Sequence, residues 1–438
     1  MKLPGSVENC VRRLEEAGFS AYAVGGCVRD ALLGIEPHDY DLCTAASPEQ
    51  IQAVFENEKL VLAGVKHGTV GVVTSGGVVE ITTFRTECGY ADSRHPDWVK
   101  FVGLVEEDLA RRDFTVNAMA WSPSRGLADP FGGQADLKAK VLRAVGDPET
   151  RFREDALRIL RGVRFAVRFG LTVEPKTESA MFRLAPLMDK LARERVFDEL
   201  CKLLPLVTAA DLLHFAPVLA AVIPELAPMV GFDQHSPHHA YDIYTHTAHV
   251  VENTPPVLAL RWAALLHDTG KVPTFTRDET GRGHFYGHAK ESAAIADAVL
   301  RRLKSPTELR GQVTALIELH MTRLEPEKKV IRRWLGRLGP ETIEDLLTFQ
   351  RADMVSKGVS KDSEMAQHLL LRRLVQEVRA EDSCLSLRDL AVNGNDLMTL
   401  GYTGKSIGDC LSRLLEAVLD ERLPNERKAL LAEAQKMS

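Results

Sequence analysis

The 438-residue sequence predicts an α+β protein, a mixed α/β head followed by an all-helical body. Three observations carry that expectation. Short β-rich runs such as VLAGVKHGTVGVVTSGGVVEITTFRT are confined to the stretch from Ala21 to about Asp147. Beyond Asp147-Pro148 strand signals nearly vanish, and apolar residues recur at helical spacing to the C-terminus. The chain also exceeds what one compact core fills, so two to four domains are expected.

The elements follow in order. Val7, Cys10, Val11 and Leu14 predict an amphipathic helix over residues 1–20. From Ala21, strands alternate with a few helices, and in VGGCVRDALLG the pair Gly25-Gly26 separates an apolar run from an Arg-Asp that opens a helical pattern. Asp39 and Asp41 stand at i and i+2 in a segment that reads as a strand. A helix is expected around residues 150–169, and a second run of helices, rich in histidine, spans about 240–355 after the prolines Pro217–Pro228 and Pro237. These breaks divide the chain at 1–147, 148–235, 236–355 and 356–438. Neither an internal repeat nor a low-complexity tract is evident.

Composition excludes several classes. Hydrophobic residues make up 45% and charged residues 26%, as in ordinary soluble globular proteins. The N-terminus MKLPGSVENC has no apolar core of a signal peptide, and no apolar run is long enough to cross a bilayer. Seven cysteines without C-x-x-C spacing point to a reducing, cytoplasmic setting. The net charge of −6 argues against a nucleic-acid partner until its distribution is considered: residues 151–205 carry twelve Lys/Arg against eight Asp/Glu. Local basic surface is what a phosphate backbone feels.

The glycine pair and the two aspartates make the sharpest constellation. Glycines let backbone N–H groups approach a phosphate, and period-2 geometry puts Asp39 and Asp41 on one face of a strand, as two hard ligands for Mg²⁺. A glycine pair alone is more often a tight turn and D-x-D is common on loops, but both within twenty-one residues favour nucleotidyl transfer. Glu80, in VVEITTF, reads equally as a third carboxylate near the metal or as a solvent-facing strand residue.

VGGCVRDALLG…DYDL, RRDFTVNAMA at 111–120, DPFGGQADL at 129–137 and REDALRILRGVRFAVRFG at 153–170 resemble the tRNA nucleotidyltransferase/poly(A) polymerase family, bacterial class II branch. YADSRHPDWVKF at 90–101 is similar to that family's head loop, and the final segment from Asn393 is similar to the tail of its CCA-adding members. The resemblance implies a polymerase-β-like palm in the head, a neck at 148–235 holding the nucleotide-selecting helix, and a tRNA-binding tail. It also implies addition of C, C and A to tRNA 3′ ends from CTP and ATP, or of A residues to RNA, without a nucleic-acid template. Gly26 and Arg29 then match triphosphate contacts, although Arg29 could equally pair with Asp30. Arg112 matches a nucleotide-binding arginine, while Asp113 and Asn117 either bond the ribose or brace their loop.

On the expected helix at 150–169, Asp155 and Arg158 lie at i and i+3, and Arg161 and Arg164 continue that side. Cytosine and adenine share an amino donor beside a ring-nitrogen acceptor; uracil and guanine reverse that pattern. A carboxylate accepting from the amino group and a guanidinium donating to the ring nitrogen would select C and A, and the family uses this position so. A wrong edge leaves buried groups unsatisfied at roughly 1–3 kcal/mol each. The plainer reading is a solvated charged face.

His246, His267-Asp268 and Asp353 match the H…HD…D motif of the HD phosphohydrolase superfamily, with His288 and His320 available to a second metal. Imidazole with carboxylate suits a transition metal such as Mn, Fe, Ni or Zn. Three functions therefore stand: full CCA addition, a narrower adding enzyme such as a poly(A) polymerase or a CC- or A-only adder, and an HD phosphohydrolase whose head only binds RNA. The aspartate pair argues against the last, since a binding module needs no metal carboxylates.

Overall fold

The computed structural model describes residues 1–88, 98–236, 240–360, 362–381 and 384–437. One compact unit holds Met1–Leu206 with His214–Pro224; the other holds Val207–Leu213 with the chain from Glu225 onward. The α+β expectation holds: all strands but one short hairpin lie in the first unit, among helices, and the second unit is built of helices.

In the first unit, helix Gly5–Glu16 buries Val7, Cys10, Val11 and Leu14, the four residues whose spacing predicts it. A mixed sheet follows, with strands β1 (Ala21–Val24), β2 (Asp41–Thr44), β3 (Leu60–Val61), β4 (Thr69–Thr74) and β5 (Gly77–Thr83). After a separate antiparallel ribbon of β6 (Arg85–Cys88) and β7 (Trp98–Phe101), β8 (Ala120–Ser122) and β9 (Gly126–Ala128) complete it. Residues 90–97 of the predicted head loop lie outside the described residues. The sheet order is β3-β4-β5-β2-β1-β8-β9. Within this sheet only β2 and β5 pair in parallel, which requires a crossover. That crossover contains helix Pro48–Val54, started by the Ser47 capping box. Tyr22, Val24, Cys43, Phe84, Leu109 and Ala120 form a core against the sheet.

The helix expected at 150–169 is two helices, Pro148–Glu154 and Leu157–Phe169, with Asp155 in extended backbone between them (φ −144°, ψ 103°). Asp155 Oδ1 accepts from the Leu157 N–H at 3.0 Å, satisfying a donor that a continuous helix would direct to a carbonyl. Aspartate favours this arrangement at a helix start, and the competition from its side chain overrides helical periodicity.

The second unit is helical apart from a short hairpin, Thr276–Arg277 with Gly283–His284. Helices Ile243–Asn253, Leu258–Leu266, His288–Arg302, Thr307–Leu319 and Pro340–Val355 pack in its first half. Separate cores around Val375 and around Leu414 follow. Among the described residues no helix is long and apolar enough to cross a membrane.

Candidate active site and metal centre

Asp41 opens β2 and lies in parallel register with Glu80 of β5, and the burial alternation of β5 turns Glu80 to the exposed face. The two carboxylates therefore share a face. Asp39 precedes the strand and is not part of it. The ladder to β1 registers Ala23 with Leu42, and β1 stops at Val24 where Gly25 turns away, so residues before Asp41 have no partner on that side. Desolvation raises the Asp41 carboxyl above its ordinary range; Glu80 and Asp39 add to this, against the pull of Arg112.

Gly25 has φ +77°, and a Cβ there would stand 2.8 Å from Arg112 Nη1. The glycine is what allows that guanidinium to lie against the turn. Beyond it opens a cleft of about 440 Å³ that collects Gly26, Arg29, Asp41, Arg112, Asp155, Arg158, Arg161 and Arg164. Eight arginines and three aspartates line it, a surplus of positive charge suited to a triphosphate.

The side chains in the cleft are held by one another. Arg29 pairs with Asp30 (Nε–Oδ1 2.8 Å) and also donates to Asn117 Oδ1. Asn117 donates to Asp113 Oδ1 at 3.0 Å, and Arg161 binds Asp113 Oδ2 through Nε and Nη2 at 2.9 and 2.7 Å. Burial would raise the Asp113 carboxyl, but Arg161 outweighs it and brings the pKa to about 2. Asp113 and Asn117 thus brace the loop. Arg164 is buried against Glu199 (Nε–Oε2 2.6 Å).

Because of the break, Asp155 and Arg158 do not form the intrahelical pair that their spacing suggests. Asp155 binds Arg195 (Nη2–Oδ2 2.7 Å), while Arg158 binds Glu154 (2.8 Å) and the carbonyls of Arg111 and Arg151. Arg195 lines the cleft as a partner of Asp155 that motif reading missed; it stood out only as one of the twelve cations at 151–205. Phe165 was likewise unmarked, yet it lines the cleft with Arg164 at 4.4 Å and Arg161 at 5.2 Å over its ring.

A second cluster lies wholly within the second unit. His246, His267 and Asp268 present ligand atoms within 4.8 Å of one another, as do Asp268, His288 and His320. Asp353 Oδ1 joins His246 Nε2 at 3.0 Å. His267, His288 and His320 each place Nδ1 against a backbone carbonyl (Ala264, Phe285 and Ile317), leaving Nε2 with its lone pair facing inward. Buried Nε2 of His288 and Oδ1 of Asp268 lack a hydrogen bond in the structure, as expected of atoms that converge on a cation, while Asp268 Oδ2 lies 3.2 Å from His267 Nε2 and 2.8 Å from Lys271 Nζ. Burial acts to raise Asp268, but His267 and Lys271 hold it well below the usual carboxylate range. Burial lowers the His320 pKa to about 4 and shifts His288 the same way, so both rings are neutral at neutral pH.

Comparison with known proteins gives the family of the chain. Residues 21–143 match the model described as "Poly A polymerase head domain", residues 170–229 the "Probable RNA and SrmB- binding site of polymerase A", and residues 284–434 a tRNA nucleotidyltransferase domain 2. The chain is 34% identical over 429 residues to the CCA-adding enzyme of Streptococcus thermophilus, covering 98% of this chain and 95% of that protein. It is 33% identical over 435 residues to that of Latilactobacillus sakei, covering 97% and 96%. A crystal structure of the Bacillus stearothermophilus CCA-adding enzyme in complex with CTP superposes with a TM-score of 0.73 at 29% identity, covering 100% of this chain and 98% of that one. An arginine-lined cleft beside paired strand carboxylates, and full-length similarity of this extent, place the chain in the CCA-adding enzyme family of nucleotidyltransferases.

Proposed function

We propose that this enzyme adds C, C and A to tRNA 3′ ends from CTP and ATP, with the reaction at Asp39 and Asp41. The observation that carries the reading is that Asp41, Asp155 and Arg158 line one arginine-rich cleft. The tRNA 3′-oxygen attacks the α-phosphorus of the nucleotide, its proton leaves, and the bond to the β-phosphate breaks to release pyrophosphate. Asp39 and Asp41 would hold Mg²⁺, which would supply charge neutralisation and a more acidic 3′-hydroxyl. Arg112 and Arg29 orient the triphosphate, and Asp155 with Arg158 read the Watson–Crick edge. The four segments 1–147, 148–235, 236–355 and 356–438 serve as head, neck, HD domain and tRNA-binding tail. None of Cys10, Cys27, Cys43, Cys201, Cys384 and Cys410 forms a disulfide, which fits a cytoplasmic enzyme.

The test uses tRNAs ending at the discriminator base, at C and at CC, each with every labelled NTP. Stepwise C, C, A addition that then stops supports the reading; continued A addition, or a halt after CC, replaces it with a narrower activity.

A second activity is favoured by the inward Oδ1 of Asp268 and Nε2 of His288, buried atoms with no hydrogen-bond partner. We infer a transition-metal phosphohydrolase centre at His246, His267, Asp268 and Asp353, with His288 and His320 at a second metal that shares Asp268.

A further inference from the structure

Two lysines that neither reading uses reach into the histidine cluster. Lys271 is buried, with Nζ 2.8 Å from Asp268 Oδ2 and 2.9 Å from Gln234 Oε1. Lys357 Nζ lies 3.0 Å from Asp353 Oδ2. Each carboxylate of the cluster thus carries its own ammonium, so the two pairs of opposite charges cancel. Both lysines line the same cavity of about 240 Å³ as Asp268, Asp353, His288 and His320. A divalent cation entering such a balanced and partly enclosed site leaves two positive charges uncompensated, a heavy cost where water screens little. A tetrahedral oxyanion touching both the cation and an ammonium removes that surplus and offers acceptors to donors already in place.

We propose that Lys271 and Lys357 form an oxyanion subsite that makes metal binding at the histidine cluster depend on a phosphate group. The inference rests on the metal-centre reading above and specifies its ligand. A buried lysine that only neutralises an aspartate would explain one such contact. Two of them, on turns that follow different helices and both lining the cavity, point to an occupant.

The experiment measures Mn²⁺ binding to the full chain by equilibrium dialysis, with and without 1 mM inorganic phosphate. Only the Mn²⁺ that is lost in His267→Ala is counted, which removes binding at the head aspartates. The expected result is at least tenfold tighter Mn²⁺ binding with phosphate. Lys271→Met and Lys357→Met should each bind Mn²⁺ alone more tightly than the parent and lose most of the phosphate effect. Circular dichroism checks both folds, and Lys357→Met, the less buried change, stands if Lys271→Met does not fold. Mn²⁺ binding that phosphate leaves within twofold overturns the subsite and spares the metal centre. Phosphate dependence that persists in Lys357→Met also overturns it. No Mn²⁺ binding sensitive to His267→Ala in either condition overturns both.

Discussion

At the scale of single residues, Asp155 is the position where charge pattern and function diverge most. Its carboxylate is held by Arg195 and its Oδ1 caps the next helix, so it is not a member of a loose surface pair. If it reads the amino group of C and A, Asp155→Ala lowers CTP and ATP use together and raises relative UTP use, since uracil no longer meets a carboxylate opposite its carbonyl. Arg158→Ala weakens both correct substrates without that gain. Kinetics with all four NTPs on one acceptor decide it, and an unchanged preference for C and A over U in Asp155→Ala returns the residue to a structural role. Asp41→Ala is expected to abolish CMP and AMP addition with tRNA binding kept; near wild-type addition of either nucleotide would remove Asp41 from catalysis. His320 supplies a pH prediction. Its folded pKa, about 4, lies below the unfolded value of 6.5, so the unfolded chain takes up the proton first as pH falls. The stability it leaves intact above pH 6.5 is lost progressively toward pH 4, by roughly 3 kcal/mol. In EDTA, unfolding of the second unit should therefore depend less on pH in His320→Asn than in the parent; equal slopes from pH 7 to 4.5 would show that His320 does not titrate this way.

At the scale of elements, helix Leu157–Phe169 presents arginines to the cleft and its opposite side to the core. Gly162 lies on the packed side, where an added Cβ would stand 2.9 Å from Phe114 Cζ and 3.2 Å from Met181 Cε. Phe114 is fully buried and has little room to move. Gly162→Val should therefore destabilise the first unit by about 1–3 kcal/mol, although valine is not the poorer helix former. Urea unfolding followed by near-ultraviolet circular dichroism measures this, and a stabilised variant would mean that the two neighbours yield. The glycine pair was legible as a turn, but the reason for Gly25, the seat of Arg112, belongs to a contact between residues 87 positions apart.

At the scale of the whole molecule, the Asp41 cleft belongs to one compact unit and the His267 cluster to the other. Replacing His267 and Asp268 together should remove bound transition metal and any phosphatase activity while leaving nucleotide addition in place. Metal ligands also stabilise folds, so circular dichroism must first show a folded variant. Loss of CCA addition in that folded protein would count against independent sites.

The sequence by itself determined the α+β class, the helix at Val7–Leu14, the glycine turn, the acidic residue at Asp41 and the H…HD…D set, because each is written in local periodicity or in residue chemistry that few roles can use. Tertiary structure alone decided who pairs with whom. Asp155 takes Arg195, forty residues away, in place of Arg158; Asp113 and Asn117 brace Arg161 and Arg29; Glu80 comes beside Asp41 through a parallel strand register; Lys271 and Lys357 pair with Asp268 and Asp353. A charged side chain reveals its kind in one dimension. Its partner is set by which buried donors and acceptors must be satisfied once the chain has closed around them.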